Sequence, residues 1–252
     1  MVKVLGVIPA RLESTRLPRK ALAPICGRPM IVWVYEGARR AACLERLVVA
    51  TDSEEIVTVC CEHSIPVMMT SSSHRSGTDR AWEVMTREPA EIVVNIQGDE
   101  PMITEGHVNL LLRPFQETAG TQVSTLKVAI DAVSARDPSN VKVVTDLAGR
   151  ALYFSRAQIP YDREGMGRVQ YYKHQGLYAF TAAALEKFHR LPPSPLEQLE
   201  RLEQLRFLEN GISITVMETP QDTIGVDTEE DLRKVEEYFR RKGWAESGGS
   251  VR

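Results

Sequence analysis

Short, continuous apolar runs alternate with segments of helical spacing along this chain, and this alternation is the feature that most constrains its fold. The first run, residues 2–10, has the length and the β-branched content of a strand buried on both faces of a sheet. Residues 47–52 and 92–99 form similar runs, and segments with helical spacing lie between the runs. Strands joined by helices produce this pattern, so the sequence predicts an α/β fold.

The second half of the chain is richer in strand-like runs than the first. These runs predict strands at residues 123–130, 141–144, 151–154, 171–180 and 212–218. We therefore expect a single α/β domain over residues 1–243, with an inserted β-rich region at about residues 131–205. The glycine- and serine-containing segment 244–252 is expected to be a frayed tail.

One long helix is expected from Ser194 to Asn210. Ser194 is a favourable N-cap, Pro195 suits the first turn, and Gly211 suits the end of the helix. Leucines at every third position would form its apolar stripe, and glutamates at every third position would form a solvated face. These residues are Leu196, Leu199, Leu202 and Leu205 for the stripe, and Glu197, Glu200 and Glu203 for the face.

Composition and charge exclude several classes of protein. With 43% hydrophobic and 26% charged residues, the 252-residue chain has the composition of a soluble globular protein. A formal net charge of −3 argues against a surface coated in basic charge for nucleic acid, although it permits a local basic pocket for a phosphorylated ligand. Every apolar run is well short of the ~20 residues needed to cross a bilayer. We expect neither nucleic acid nor a membrane as a partner.

The cysteines carry no metal or disulfide signature. They are Cys26, Cys43, Cys60 and Cys61, and they form neither a CxxC pair nor a zinc-binding spacing with histidine. Reduced thiols in a cytoplasmic protein are the simplest interpretation.

The loop after the first strand carries several cations, among them Arg11, Arg16 and Lys20, and contains no glycine. The chain contains neither GxxxxGK[ST] nor GxGxxG, so this is neither a P-loop nor a dinucleotide-binding turn. Cations on such a loop can hold a triphosphate, because arginine supplies a planar fork of donors and lysine a movable charge. A solvated surface loop is the alternative, and the nearby prolines favour a stiffer, functional loop.

Two carboxylates also lie where the predicted sheet would place ligands, beyond the carboxyl ends of its strands. Asp99 follows the run at 92–99, and Asp227 lies between a predicted strand and the last helix. Together with the cations, they fit a nucleotide bridged by Mg²⁺, which takes few protein carboxylates and fills its shell with phosphate oxygens and water. Alternatively, Asp99 is a turn residue before Pro101, and Asp227 prepares the N-cap at Thr228.

Residues 74–80 precede a predicted helix and permit two interpretations. Gly77 would allow close approach of the backbone to a base or ribose, whereas Ser76 or Thr78 would instead be a simple N-cap. His174, on a predicted strand, is more often a structural residue than a catalytic one.

An ordered set of short motifs extends from the first strand to the last helix. The motifs are Ile8-Pro9-Ala10-Arg11, Ser14-Thr15-Arg16-Leu17-Pro18 with Lys20, Gly27-Arg28-Pro29-Met30-Ile31, Ala50-Thr51-Asp52, His74 with Ser76-Gly77-Thr78, Asn95-Ile96-Gln97-Gly98-Asp99-Glu100-Pro101, Tyr153-Phe154-Ser155-Arg156, Lys173-His174 with Gly176-Leu177-Tyr178, Ser194-Pro195-Leu196-Glu197, Leu202-Glu203-Gln204-Leu205-Arg206 and Gly225-Val226-Asp227-Thr228. As a set, they resemble the 3-deoxy-D-manno-octulosonate (KDO) cytidylyltransferases over nearly the whole chain, to about Tyr238. Each motif alone is weak, since the opening loop occurs in many sugar nucleotidyltransferases, but the ordered set is specific.

The resemblance implies both a fold and a reaction. The implied fold is nucleotide-diphospho-sugar transferase-like, a Rossmann-like mixed sheet flanked by helices, which forms a homodimer through the inserted β-rich region. In the implied reaction, CTP and KDO give CMP-KDO and diphosphate, which activates KDO for lipopolysaccharide assembly. Mg²⁺ is the implied cofactor.

The resemblance also assigns site residues. Those implied to bind CTP are Arg11, Arg16 and Lys20 at the triphosphate, and Ala10, Ser76, Gly77 and Arg80 at the cytidine. Those implied to contact the sugar acid are Gln97, Arg163, His174, Glu203 and Gln204. Asp99 and Asp227 are implied to hold Mg²⁺, and the implied catalytic residues are Arg11, Lys20 and Asp99.

The chain departs from the family pattern at a few positions that bear on sugar recognition. Arg75 and Asp79 lie beside the cytidine segment, Tyr161 replaces a common tryptophan, and the segment 162–170 is short. A cytidylyltransferase for 8-amino-KDO or for another octulosonic or nonulosonic acid is therefore the nearest alternative. A glycosyltransferase or a non-catalytic nucleotide-binding protein is the alternative of another class, and diphosphate release from CTP would distinguish them.

Overall fold

A computed structural model of the chain describes residues 3–14, 16–165, 167 and 169–244. Its strands are β1 (Val4–Ala10), β2 (Pro24–Ile25), β3 (Arg28–Pro29), β4 (Arg46–Thr51), β5 (Val67–Met69), β6 (Ile92–Asn95), β7 (Val123–Ile130), β8 (Lys142–Thr145), β9 (Ala151–Ser155), β10 (Tyr171–Thr181) and β11 (Ile214–Glu218). Its α-helices are α1 (Met30–Ala38), α2 (Glu54–Glu62), α3 (Gly77–Arg87), α4 (Glu105–Glu117), α5 (Ala182–Arg190), α6 (Pro195–Glu200), α7 (Leu205–Glu209) and α8 (Glu229–Arg241). The chain divides into two compact units, 1–109 with 223–252 and 110–222.

The first unit is built on parallel strands, with β1 paired between β4 and β6 and with β5 beyond β4. Nearly every side chain of β1 is buried, as expected for a strand covered on both faces. The ladder register places Ala10 beside Thr51 and Val7 beside Asn95. Because the strands are parallel, their carboxyl ends meet at one edge, which is where ligands bind in such sheets.

An aromatic cluster anchors the last helix of this unit. The ring centroids of Trp33 and Phe239 are 4.7 Å apart, and Trp33 Nε1 donates a hydrogen bond to the carbonyl of Ile25 at 2.9 Å. Trp244, the first residue of the predicted frayed tail, packs against Phe239 at 5.1 Å. The rest of that predicted tail lies outside the described residues.

The second unit contains a mainly antiparallel arrangement. Strand β7 pairs antiparallel with β10 and parallel with β11, and the β8–β9 hairpin joins β10 through β8. This unit spans more of the chain than the inserted region expected at about residues 131–205. It also includes β7 and β11, which are hydrogen-bonded to each other. Stacked rings of Tyr178, Phe180, Phe207 and Phe188 form part of its interior.

The prediction of one helix from Ser194 to Asn210 is wrong. Arg201 adopts a left-handed conformation with φ of 56°, which ends α6, and α7 begins only at Leu205. The predicted leucine stripe is therefore split, with Leu202 and Leu205 buried and Leu199 80% exposed.

The expected solvated face of glutamates is also wrong for two of its members. Glu197 accepts hydrogen bonds from the Ser194 amide at 2.9 Å and from Arg206 Nε at 2.7 Å. Glu200 accepts hydrogen bonds from Ser155 Oγ at 2.6 Å and from the Arg156 amide at 2.9 Å. Since the break in the helix folds these acids back onto the unit, they hold its short helices in place.

Across the described residues, every helix is too short or too polar to span a lipid bilayer.

Candidate active site

A cleft of about 250 Å³ lies in the first unit. It is located at the carboxyl end of β1 and beside the segment that follows β6. It contains every residue that the sequence assigned to CTP or to a metal, together with Gln97. Its lining residues are Pro9, Ala10, Arg11, Glu13, Ser14, Arg16, Lys20, Ala21, His74, Arg75, Ser76, Gly77, Arg80, Gln97, Gly98, Asp99 and Asp227.

Close backbone contacts build the floor of this cleft. A Cβ atom added to Gly98 would lie only 2.6 Å from the carbonyl oxygen of Pro9, so the turn after β6 requires glycine to approach the end of β1. The Val226 amide donates a hydrogen bond to the carbonyl of Asp99 at 2.9 Å. These contacts bring Asp99 and Asp227 to one place from distant parts of the chain.

Lys20 lies between the two carboxylates. Its Nζ atom is 2.5 Å from Asp99 Oδ2 and 3.0 Å from Asp227 Oδ1, while Arg16 Nη2 is 2.9 Å from Asp227 Oδ2. Burial alone would lower the pKa of Lys20, but attraction and hydrogen bonding to Asp99 and Asp227 outweigh it and raise this pKa. The lysine is therefore a fixed positive charge at neutral pH.

The donor set fits a divalent ion that is completed by its substrate. The described residues hold no group of three or more His, Cys, Asp or Glu side chains able to bind a metal ion by themselves. Two carboxylates that already share one cation, the Lys20 ammonium, suit Mg²⁺, which needs few protein carboxylates when phosphate oxygens supply the rest.

The lining carries more positive than negative charge, as a polyphosphate site requires. Its cations are Arg11, Arg16, Lys20, Arg75 and Arg80, and its acids are Glu13, Asp99 and Asp227. Opposite charge in a cleft raises the local concentration of an anionic ligand.

The side chain of Arg80 is held in place by two hydrogen bonds. Only 4% exposed, its guanidinium donates to Asp52 Oδ2 at 2.9 Å and to Thr70 Oγ1 at 2.5 Å. Asp52 and Thr70 lie just beyond β4 and β5, so Arg80 is fixed to the strands of the sheet. Its guanidinium geometry is thus set before any ligand arrives.

The start of α3 confirms the N-cap interpretation of residues 74–80, and the approach of a base or ribose to Gly77 stays a prediction. Ser76 is the N-cap, and its Oγ accepts a hydrogen bond from the Asp79 amide at 3.1 Å while the residue also lines the cleft. A Cβ atom at Gly77 would lie 3.3 Å from Pro9 Cγ, so the helix start packs tightly against the end of β1.

The residues of this region that the sequence did not assign to the site include Glu13 and Ser14, which line the cleft, and Glu83. Glu83 lies within α3 and is hydrogen-bonded to His74 Nε2. In the sequence, a glutamate on an amphipathic helix looks like any solvated residue. The one signal for Glu83 is its spacing from Arg80, which places the two residues on neighbouring turns of the helix.

The other residues assigned to the sugar acid lie in the second unit. Arg163 is exposed in a loop, and His174 is partly buried with its Nε2 atom 2.9 Å from Thr125 Oγ1. Burial, with a smaller effect of the Lys173 charge, lowers the pKa of His174 to about 3. Burial raises the pKa of Tyr178, and the negative charge of Glu203 raises it further. Gln204 is buried.

The parallel sheet, the basic cleft at its carboxyl edge and the paired carboxylates are features that suit a site for a polyphosphate bound together with a metal ion. The sequence model of a protein family described as cytidylyltransferase matches residues 5–214 of this chain. A solved CMP:2-keto-3-deoxy-manno-octonic acid synthetase, complexed with CTP, is 43% identical with a TM-score of 0.91, over 95% of this chain and 99% of that one. A cytidylyltransferase from Leptospira borgpetersenii, 16% identical with a TM-score of 0.60 over both whole chains, shares the fold.

Two relatives in sequence identify the family more narrowly within the cytidylyltransferases. The 3-deoxy-manno-octulosonate cytidylyltransferase of Acidobacterium capsulatum is 54% identical, over 94% of this chain and 97% of its own. That of Koribacter versatilis is 52% identical, over 96% and 92%. The chain belongs to the 3-deoxy-manno-octulosonate cytidylyltransferase family, and the family and fold class predicted from its motifs are confirmed.

Proposed function

We propose that this chain transfers the cytidylyl group of CTP to the anomeric hydroxyl of KDO, which gives CMP-KDO and diphosphate and activates KDO for lipopolysaccharide assembly. The observation that carries the proposal is the position of Lys20, whose ammonium bridges Asp99 and Asp227 inside a basic cleft. Such a site suits a metal-bound polyphosphate. Family membership supports the choice of CTP and KDO as substrates.

The loop cations Arg11, Arg16 and Lys20 are proposed to hold the triphosphate. Arg16 and Lys20 are already directed at the carboxylates, and Arg11 is exposed at the end of β1. In phosphoryl transfer, the protein contributes mainly positioning and charge neutralisation. Arg11 and Lys20 would therefore act as catalytic residues by offsetting the charge that develops as the bond from the α-phosphorus to diphosphate breaks.

Asp99 and Asp227 are proposed to hold Mg²⁺. When bound there, the ion would neutralise phosphate charge and lower the pKa of the attacking sugar hydroxyl. The carboxylate of Asp99 is about two-thirds covered, with 32% exposure, and it is held by Lys20. A strong general base among the side chains is then unnecessary.

The cytidine is proposed to bind against Ala10, Ser76, Gly77 and Arg80. Ala10 and Gly77 present backbone with little side chain, which permits a flat base to approach closely. The guanidinium of Arg80 is oriented by Asp52, so it can direct donors into the cleft at little entropic cost.

The residues proposed to contact the sugar acid, as the family resemblance implies, are Gln97, Arg163, His174, Glu203 and Gln204. A pKa of about 3 leaves His174 neutral at physiological pH, so it would offer a hydrogen bond and not a charge. The carboxylate of KDO would then be matched by Arg163, whose guanidinium is always charged.

A diphosphate-release assay tests the function. We expect release only when CTP is paired with KDO, among four nucleoside triphosphates each combined with KDO, 8-amino-KDO and sialic acid. Preference for 8-amino-KDO would redirect the proposal to that sugar. CTP binding without diphosphate release under any pairing would contradict an enzymatic function.

We also propose a homodimer formed through the second unit and a cytoplasmic location. Large apolar side chains of that unit are exposed, namely Val133, Leu147, Leu152, Tyr161, Leu196 and Leu199. Covering them on a second copy would bury apolar area. The four cysteines are free thiols, which supports a reducing compartment.

Light scattering at assay concentration tests the dimer. We expect the mass of two chains for the wild type and partial dissociation for Leu152→Asp, because a charge in a buried apolar interface is costly. A fully active monomeric wild type would contradict the dimer proposal.

A further inference from the structure

We propose that Glu83 is a positioning residue for the nucleotide, which acts by holding the recognition loop, residues 70–76, against α3. The inference rests on the proposed function, since that function assigns Ser76, at the end of the loop, to the cytidine. Glu83 itself is 8% exposed and is absent from the lining of the cleft among the described residues. Its effect on a ligand must therefore pass through the loop.

Two contacts of Glu83 tie the recognition loop to α3, and both end on the same oxygen of its carboxylate. Glu83 Oε2 accepts a hydrogen bond from the Ser71 amide at 2.9 Å, and it is hydrogen-bonded to His74 Nε2. Its other oxygen, Oε1, accepts from Arg87 Nη2. Both carboxylate oxygens are thereby engaged, as a buried charge requires.

The carboxylate is held in its charged form. Burial alone would raise the pKa of Glu83, but hydrogen bonds from Ser71 and His74 and the charge of Arg87 outweigh it and lower this pKa. At neutral pH, Glu83 is thus a charged acceptor with three donors. An amide at this position has one acceptor oxygen and cannot satisfy all of them.

The loop that Glu83 holds is part of the cleft. His74, Arg75 and Ser76 all line it. At one end, the Thr70 amide donates to the carbonyl of Thr51 at 2.8 Å, and at the other end Ser76 caps α3. Between these fixed ends, Glu83 contacts the middle of the loop, although it does not itself line the cleft among the described residues.

Glu83→Gln tests the inference, with Arg87→Met as the matched control. The Arg87→Met substitution removes one contact to the same carboxylate but leaves the Ser71 and His74 contacts in place. For Glu83→Gln we expect KM for CTP, and Kd for CTP from calorimetry without sugar, to rise about tenfold, the effect of one lost hydrogen bond to a charge. The kcat value and KM for KDO should change less than twofold. Arg87→Met should raise KM and Kd for CTP by less than Glu83→Gln does, because the Ser71 and His74 contacts remain.

A double-mutant cycle separates this role from general destabilisation. If Glu83 acts through His74, then Glu83→Gln and His74→Asn together should raise KM for CTP by less than the product of their single effects. An unchanged Kd for CTP in Glu83→Gln, with only a lowered melting temperature, would overturn the inference. Should Glu83→Gln not fold, Glu83→Asp, which withdraws the charge by one methylene, carries the same comparison. An inactive wild type with CTP and KDO would instead refute the proposed function, which the calorimetric Kd does not measure.

Discussion

Replacing Asp99 with asparagine is expected to lower kcat by on the order of 10²–10³-fold, the loss seen when one preorganised electrostatic partner is removed. Asparagine preserves the shape of the side chain, so the fold and the cleft should persist. The charge that faces Lys20 at 2.5 Å, and that is proposed to hold Mg²⁺, is lost. Steady-state kinetics over a range of Mg²⁺ concentrations measures the effect.

The controls for this variant are an acid inside the proposed ion site and an acid outside it. Asp227→Asn should produce a loss of similar size. Glu55→Gln removes a surface acid that pairs with Arg19, and it should leave turnover unchanged. Near-normal turnover of Asp99→Asn at saturating Mg²⁺ would reject the role proposed for Asp99.

Replacing Lys20 with methionine is expected to lower kcat by about 10²-fold, because one charge that is proposed to stabilise the departing diphosphate is removed. Methionine retains most of the apolar stem of lysine, which limits the loss of packing. The variant also removes the cation that bridges Asp99 and Asp227, so it leaves two facing carboxylates without their shared counter-ion. Diphosphate release at saturating CTP and KDO measures the effect.

Lys3→Met is the matched control, since Lys3 is exposed just before β1 and lies away from the cleft. We expect the rate of this variant to equal that of the wild type. A Lys20→Met enzyme with an unaffected rate would remove Lys20 from the mechanism.

The framework of the fold was predictable because its strands are long, apolar and β-branched. The runs at residues 2–10 and 123–130 coincide closely with β1 and β7. The break between α6 and α7 was not predictable, since an arginine at the left-handed position gives no signal of the kind that glycine gives. Capping residues and an apolar stripe at these positions favoured a single helix.

The cleft was predictable in part, by a rule about sheets. Charged residues that follow parallel strands collect at one edge, and this places Arg11 and Asp99 together from their positions alone. The pairing of Asp52 with Arg80 and of Glu83 with His74 could not be predicted, because it depends on how α3 lies against the loop before it.

The residues of the second unit were a different case. Nothing in the spacing of Arg163, Glu203 or Gln204 indicated a sugar acid, and their assignment depends on the family resemblance alone. For His174 the residue pattern favoured a structural histidine, and its burial against Thr125 agrees with that interpretation. Its proposed contact with the sugar remains a prediction.

The central claim is that acids from two distant segments hold one divalent ion against the triphosphate of CTP. A crystal of the enzyme with CTP and Mn²⁺, with anomalous data collected at the manganese edge, tests it most directly. We expect one anomalous peak in contact with carboxylate oxygens of both Asp99 and Asp227 and with phosphate oxygens of the nucleotide. A peak bound elsewhere, with these two carboxylates separated from the ion, would contradict it.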